Sequence, residues 1–312
     1  MKSGILITLL LAFISATGYG QTTEPNIVRI TGVRFAYPLV QQWIDKYSST
    51  YPDRQVVIES RAASDPPEFD ILIEAYEHPD EIKRNREYVY IARYAVLPVA
   101  NSASGFAGAY GEKGVDGDLI KQIFFHDILA DKENHKEINV PYTIYTRLQK
   151  AGIPAVFSGY YGYEQKDIKG KSIAGSDEHL RRALLRDSTA VSYLPLSLIY
   201  DPETGKPVKG ITVIPPDLNG NGRINEDEKF YGDLVSAVQR LEETPPKDLN
   251  NVPLAYLHFS VDRRNATQEA ISFLRWVIAN GEKDLHGQGY LAPEPGKLER
   301  EKFEQFASKG SK

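Results

Sequence analysis

Cysteine is absent from this 312-residue chain, which excludes disulfide scaffolds, thiolate zinc sites, iron–sulfur clusters and cysteine nucleophiles. Neither sign of charge prevails, since 37 basic residues stand against 42 acidic ones. The composition therefore offers no electrostatic basis for nucleic-acid binding. Glycine and proline are near average abundance, which excludes collagen-like and low-complexity chains. The length and the 41% hydrophobic content exclude intrinsic disorder and allow two domains, or two lobes, each with its own core.

The apolar run after Lys2 extends from Ile5 to Ala16, which is shorter than the ~20 residues that a membrane span needs. One positive charge, an apolar core and the small residues at 17–20 are typical of a secretory signal. We therefore predict cleavage near Gly20 and a periplasmic protein without stable membrane insertion. The alternative is a buried N-terminal strand or helix.

Strand and helix patterns alternate along the rest of the chain, which predicts an α/β fold with parallel strand pairing. Strand patterns occur at 27–30, 55–59, 69–75, 88–99, 138–145, 190–198 and 211–214. Helix patterns begin at Leu39 and occur at 118–125, 179–186, 233–241, 267–279 and 297–312. The Tyr-rich run 157–163 is interpreted as a loop packed on the protein, with a cleft wall as the alternative. The six histidines have no metal-ligand spacing and are expected on the surface or at helix caps.

The segment 217–228, DLNGNGRINEDE, has the spacing of an EF-hand calcium loop. Side-chain oxygens would come from Asp217, Asn219, Asn221, Asn225 and Glu228, and a carbonyl oxygen from Arg223. Calcium prefers six to eight oxygen ligands, and a tight turn at Gly222 would point alternate side chains inward. Two carboxylates among these ligands predict a weak, structural calcium site. A helix would leave the loop from about Lys229, without the helix that normally precedes it. The alternative is a solvated Asn–Gly turn.

The segment 31–51, TGVRFAYPLVQQWIDKYSSTY, resembles the opening of the phosphate-type periplasmic solute-binding proteins of ABC transporters. In that family a glycine turn and an aromatic–proline pair precede a helix with a tryptophan. Further similar segments follow in the same order: IARYAVLPV at 91–99, LIKQIF at 119–124, YTR at 145–147, TGKPV at 204–208, 273–281 and Gly289–Tyr290. A subset of the family carries a calcium-type loop after the TGKPV position.

The resemblance implies a type II periplasmic-binding-protein fold, in which crossover strands join two α/β lobes around a ligand cleft. It divides the chain into a signal (1–20), a first part of one lobe (21–100), the second lobe (101–210) and a return to the first lobe (211–312). Binding by hinge motion is implied, and catalysis is not. The expected partners are a small anion, phosphate or another oxyanion, and an ABC permease. A monomer is expected.

The family's anion-binding motifs are altered in this chain. Segment 60–67, SRAASDPP, replaces a Ser/Gly-rich turn, and Glu74–Ala75–Tyr76 stands where a serine and an acid are expected. No Ser-Gly-Thr follows Arg147. We therefore do not expect tight phosphate binding through the usual contacts. The remaining candidates for ligand binding are Arg34, Phe35, Ala36, Arg147 and Gly152. Alternatively, Arg34 faces solvent and Arg147 forms a structural ion pair.

Together these features predict an exported solute-binding protein of a phosphate-like ABC transport system with a structural calcium site. The alternative is a degenerate binding-protein fold that serves as a calcium-stabilised periplasmic interaction or scaffold module. An enzyme is disfavoured because the sequence has no visible nucleophile or hydrolytic metal motif.

Overall fold

A computed structural model describes residues 27–59, 69–76, 84–125, 136–294 and 300–309. The predicted signal and the segment 60–67 lie outside these residues. The strands are β1 (Ile27–Gly32), β2 (Gln55–Ile58), β3 (Ile71–Glu74), β4 (Arg86–Asn101), β5 (Thr143–Arg147), β6 (Lys171–Ile173), β7 (Ala190–Pro195), β8 (Ile211–Val213) and β9 (Leu254–Asp262). The helices are α1 (Tyr37–Thr50), α2 (Gly105–Tyr110), α3 (Gly117–Phe124), α4 (Gly152–Tyr160), α5 (Asp177–Arg186), α6 (Leu196–Ile199), α7 (Leu234–Glu243), α8 (Gln268–Asn280) and α9 (Arg300–Lys309).

The sheet contains two groups of five strands with the same pattern of parallel and antiparallel neighbours. The first group runs β2-β1-β3-β9-β4 and the second β6-β5-β7-β4-β8. In each group the first three strands are parallel and the fourth is antiparallel to both neighbours. We call the first group, with residues 86–95 of β4, lobe I, and the second, with residues 96–101 of β4, lobe II. Because β4 belongs to both groups, it is a crossover strand.

The chain returns to lobe I through β9. The preceding strand, β8, still pairs with residues 99–101 of β4 in lobe II. Strand β9 makes the return, since it pairs with β3 and with residues 86–95 of β4, and the boundary at residue 211 stays a prediction.

Each lobe has an aromatic-rich core. In lobe I, α1 buries Leu39, Val40 and Trp43, and the indole Nε1 of Trp43 donates to the carbonyl of Gly281 at 3.2 Å. In lobe II, the ring of Phe157 stacks on that of Tyr193, with centroids 4.4 Å apart. Apolar residues recur on one face of each strand and helix, and that face is buried in the core. The packing of these faces fixes the positions of the strand ends that form the cleft.

Several predicted elements are corrected. The strand predicted at 138–145 begins at Thr143, since Pro141 lacks the N–H that a strand ladder uses. The strand predicted at 190–198 ends at Pro195, and α6 follows, because a short apolar run does not distinguish a buried strand from a buried helix. The run 157–163 is not simply a loop, since α4 extends through Tyr160.

Two further corrections concern α7 and a histidine. Helix α7 begins at Leu234 rather than near Lys229, because the side chain of Asp233 caps it by accepting from the N–H of Ser236 at 2.9 Å. His258 lies on β9 and is fully buried, not at the surface or a cap, because it faces the rings of Tyr88 and Tyr90. Within the described ranges, no helix has the length and apolar character needed to cross a membrane.

Candidate functional site

A cleft of about 480 Å³ lies between the two lobes. Its lobe I wall comes from the ends of β1 and β3, and its lobe II wall from the end of β5 and the first residues of α4 and α5. The charged residues that line it are Arg34, Glu74, Arg147, Lys150 and Asp177. Four of the five predicted ligand-binding residues line this cleft: Arg34, Phe35, Arg147 and Gly152.

Ala36 is not among the cleft-lining residues and is fully buried. It follows Arg34 and Phe35 in a short 3-10 turn that leads into α1. The turn directs the side chain of Ala36 into the core of lobe I, and contact of its backbone with a ligand stays a prediction.

The lobe I wall depends on Gly32. Its φ is +144°, and a Cβ there would fall 2.0 Å from the carbonyl oxygen of Ile73. The next residue, Val33, donates its N–H to that same oxygen at 3.1 Å. This close approach of β1 and β3 brings Arg34 and Glu74 to the same sheet edge, where Arg34 is exposed to solvent and Glu74 is partly buried.

The carboxylate of Glu74 is held by β9. Its Oε2 accepts a 2.5 Å hydrogen bond from the hydroxyl of Ser260, and the Nε2 of His258 lies 3.8 Å from the same oxygen. Nε of Arg86 donates to the Ser260 hydroxyl at 2.8 Å. The sequence marked Glu74 only as a departure from a family pattern, because its partners lie on a distant strand.

The lobe II wall contains a buried ion pair. Nη1 of Arg147 donates to Oδ1 of Asp177 at 2.6 Å, and each side chain is 9% exposed. Burial raises the pKa of Asp177, although the charge of Arg147 opposes this effect. Arg147 therefore forms the ion pair that we considered as its alternative role. Its buried Nε has no hydrogen-bond partner among the described residues, so this donor is unsatisfied within the described part of the protein.

The first turn of α4 adds backbone donors beside Arg147. Ala151 precedes the helix and supplies no side-chain cap, and Gly152 lines the cleft. Gln165 holds the approach to this helix: its Oε1 accepts from the N–H of Ala151 at 3.0 Å, and its Nε2 donates to the carbonyls of Arg147 and Gln149. No side chain caps this turn, and Pro154 has no N–H, so its backbone donors are the N–H groups of Gly152 and Ile153, of which Gly152 lines the cleft at the positive end of the helix dipole.

The predicted calcium loop has its own buried carboxylates. Asp217 and Glu228 are each 1% exposed. Asp217 accepts from the N–H groups of 220, 221 and 222 at 2.6–3.2 Å, and Glu228 accepts from those of 218, 219 and 225 at 2.7–3.2 Å. The tight turn at Gly222 has a φ of +81°. These hydrogen bonds tie the two ends of the loop to its backbone, and calcium binding stays a prediction.

The other predicted metal ligands lie at the loop's surface. Asn219 and Asn221 are exposed, and each side-chain oxygen accepts from the backbone N–H two residues later, that of Asn221 and of Arg223. Asn225 and Glu228 form a reciprocal capping box. The described residues contain no group of three or more His, Cys, Asp or Glu side chains placed to hold a metal. A cation here would need the asparagine oxygens and the carbonyl of Arg223 as well as the two carboxylates.

Comparison with solved structures identifies the fold. The chain is similar to a proposed phosphate ABC transporter substrate-binding protein with bound phosphate from Clostridium perfringens, at 13% identity and a TM-score of 0.62, over 86% of this chain and 100% of that one. It is similar to an ABC-type phosphate transport receptor from Vibrio cholerae, at 13% identity and a TM-score of 0.53, over 85% of this chain and 100% of that one.

A third similar structure is the regulatory domain of CcmR from Synechocystis in complex with 2-PG, at 13% identity and a TM-score of 0.51, over 81% of this chain and 96% of that one. No protein-family model and no curated protein matches the sequence. At these identities the similarity establishes the fold alone. The predicted periplasmic-binding-protein fold class, two α/β lobes joined by crossover strands around a cleft, is confirmed.

Proposed function

We propose that this protein is an exported solute-binding protein that holds a small anion between its lobes for an ABC-type transport system. The observation that carries this proposal is the lobe II wall of the cleft, where an uncapped helix N-terminus and the unpartnered Nε of buried Arg147 lie together. The fold supports the proposal, because two of the similar structures are a proposed phosphate ABC transporter substrate-binding protein and an ABC-type phosphate transport receptor.

The wall would bind an anion through three kinds of contact. The backbone N–H groups at the start of α4 donate to it, and the helix dipole favours its charge. Arg147 donates through Nε while its Nη1 remains on Asp177. The side chain of Lys150 adds a positive charge. An anion that also reaches lobe I would favour the closed arrangement of the lobes, because a ligand shifts the population toward the state it binds better.

Phosphate itself is expected to bind weakly. The described cleft residues at 74–76 and 147–153 include no serine, and the hydroxyls that line the cleft are those of Tyr76 and Ser176, of which the Ser176 hydroxyl already contacts Nδ1 of His179 at 2.8 Å. Each missing hydrogen bond to a buried charged group costs about 1.5–3 kcal/mol. Glu74 also places a carboxylate where a plain anion would be repelled.

Isothermal titration with phosphate tests this proposal. We expect binding with a Kd above about 1 μM, which corresponds to less than about 8.2 kcal/mol of binding free energy. Arg147→Met should weaken it at least tenfold, whereas Arg182→Met, at an exposed position on α5, should not change it. Submicromolar phosphate binding would contradict this account of the cleft, and equal effects of the two substitutions would contradict the role of Arg147.

We also propose that segment 217–228 binds one structural calcium ion. Support comes from the two buried carboxylates at the ends of the loop. The residues that would supply oxygen atoms also stand at positions 1, 3, 5, 7, 9 and 12 of the loop, as in an EF-hand. The bound ion would compensate two negative charges and hold the loop. Asp217, Asn219, Asn221, Asn225 and Glu228 would supply side-chain oxygens, and Arg223 its carbonyl oxygen.

A scaffold role without a transport ligand is the second candidate. The Arg147–Asp177 ion pair favours this scaffold role. Asp177 already compensates the positive charge of Arg147, so no bound anion is needed to do so. Mass spectrometry of small molecules retained through gentle purification separates the two candidates. A single co-purified small anion supports solute binding, and its release by Arg147→Met would place it in the cleft.

A further inference from the structure

We propose that the solute is a zwitterion, a small molecule with an acidic group at one end and an ammonium group at the other, and that Glu74 binds the ammonium. This inference rests on the proposed binding of an anionic group in the cleft and specifies the rest of the solute.

The cleft carries charges of both signs. Arg34, Arg147 and Lys150 are its cations, and Glu74 and Asp177 are its carboxylates. Asp177 is paired with Arg147 within lobe II. Glu74 stands on the opposite wall, in lobe I. A carboxylate is an acceptor only and repels an anion through a low-dielectric cleft, whereas an ammonium group supplies three donors and the opposite charge.

The Glu74 carboxylate has a fixed direction. The hydroxyl of Ser260 donates to its Oε2 at 2.5 Å, and Arg86 fixes Ser260 through both its hydroxyl and its carbonyl, each at 2.8 Å. A chain of hydrogen bonds that orients a carboxylate lowers the entropic cost of binding a cation to it. Ser260 is therefore a positioning residue for this contact.

The two walls are complementary to a molecule with two unlike ends. Lobe II offers the N–H groups of α4, Nε of Arg147 and the Lys150 side chain to an acidic group. Lobe I offers Glu74 to an ammonium group. A solute that satisfies both walls links the lobes, so closure would require both of its ends.

The size of the cleft fits an organic solute. Its volume of about 480 Å³ lies within the ~300–1,000 Å³ typical of sites for organic ligands. Gly152 of lobe II already packs against Ala75 of lobe I, so the lobes are in contact while this space remains. A single oxyanion at the lobe II wall would leave the space beside Glu74 unfilled.

Two isosteric ligand pairs test the inference by isothermal titration. The first is 2-aminoethylphosphonate against n-propylphosphonate, and the second is β-alanine against n-butyrate; within each pair an ammonium replaces a methyl group. In at least one pair we expect the amino compound to bind at least tenfold more tightly. Glu74→Gln should reduce this preference to less than threefold, and Ser260→Ala should reduce it partly. Glu203→Gln, at an exposed position, is the control and should leave it unchanged.

The outcomes separate the two levels of the proposal. Equal affinity for the two members of both pairs overturns the zwitterion while leaving anion binding intact. A preference that survives Glu74→Gln overturns the assignment of Glu74. No binding of either pair or of phosphate overturns anion binding and the zwitterion together. Melting temperatures of the variants show whether each is folded, and Ser260→Ala tests the contact without removing the carboxylate.

Discussion

Gly152 at the start of α4 lies against Ala75 at the end of β3, so closely that a Cβ on Gly152 would fall 2.9 Å from the Cβ of Ala75 and 3.2 Å from its carbonyl oxygen. The hydroxyl of Tyr94 on the crossover strand β4 donates to that same carbonyl. Gly152 belongs to lobe II and Ala75 to lobe I. The contact therefore joins the lobes beside the cleft, and the missing side chain allows it.

Gly152→Ala should hold the lobes apart. The added methyl group meets the backbone of Ala75, which has little room to move because Tyr94 is buried beneath it. We expect at least tenfold weaker binding of any solute that bridges the lobes, and a larger radius of gyration by small-angle X-ray scattering. Gly159→Ala, in the same helix with no atom within 4 Å of its new Cβ, should keep the affinity and add about 0.5–1 kcal/mol of stability. Equal behaviour of both variants would rule out the contact as a limit on closure.

Asp177→Asn should destabilise the protein and strengthen anion binding. It leaves the guanidinium of Arg147, 9% exposed, without its buried partner, at a cost of about 3 kcal/mol. The released charge should raise phosphate affinity severalfold. Urea unfolding and titration with phosphate measure the two effects. The double variant Arg147→Met/Asp177→Asn should recover stability and lose the gain in affinity; a gain that persists there would assign it to another group.

Removal of calcium should lower the melting temperature of the purified protein. The carboxylates of Asp217 and Glu228 are both buried in the loop, and a chelator would leave their charges uncompensated by a cation. Glu228→Gln should abolish the difference between chelated and calcium-loaded protein. Glu226→Gln, whose exposed side chain contacts Lys229, should preserve it. Scanning calorimetry with and without chelator makes the measurement, and an unchanged wild-type melting temperature would show that the loop binds no calcium.

Asp187 should make stability depend on pH in the acid range. Hydrogen bonds from the backbone N–H and the hydroxyl of Thr189, and from the hydroxyl of Tyr145, lower the pKa of Asp187. The stabilisation is therefore complete above the unfolded pKa of about 3.9 and is lost as the pH falls through the lower folded pKa.

Asp187→Asn should consequently cost about 1 kcal/mol at pH 7, and this difference should shrink below about pH 3.9. Urea unfolding at pH 7, 5 and 3 provides the comparison. Asp53→Asn, at an exposed turn, serves as the control with no such difference. A constant gap between wild type and Asp187→Asn at all three pH values would exclude the carboxylate charge as its cause.

Local patterns in the sequence predicted most of the elements that form the lobes. The apolar spacing after Leu39 predicted α1, and the long apolar run after Tyr88 predicted the crossover strand β4. Strands β6 and β9 were not predicted, and neither were the short helices α2, α4 and α6. The apolar residues of these helices show no helical periodicity that would distinguish a helix from a strand. Tertiary packing therefore decides their conformation. The calcium ligands, the export signal and the solute stay predictions.

The candidate site could be predicted only in part. The resemblance to the phosphate-type family indicated Arg147, at the end of a strand, and Arg34 and Phe35, after a glycine turn, and the structure places these residues and Gly152 at the cleft. The partners that set their chemistry were not found. Asp177 lies 30 residues from Arg147, and Ser260 lies 186 residues from Glu74.

The sequence by itself determined the alternation of strands and helices and the spacing of the 217–228 loop, because each depends on residues a few positions apart. Only the tertiary structure decided which charges in the cleft are paired and where the lobes touch. Those relations depend on the crossover strand β4 and on β9, which bring distant segments together at the cleft. No local periodicity in the sequence shows which distant segments will meet.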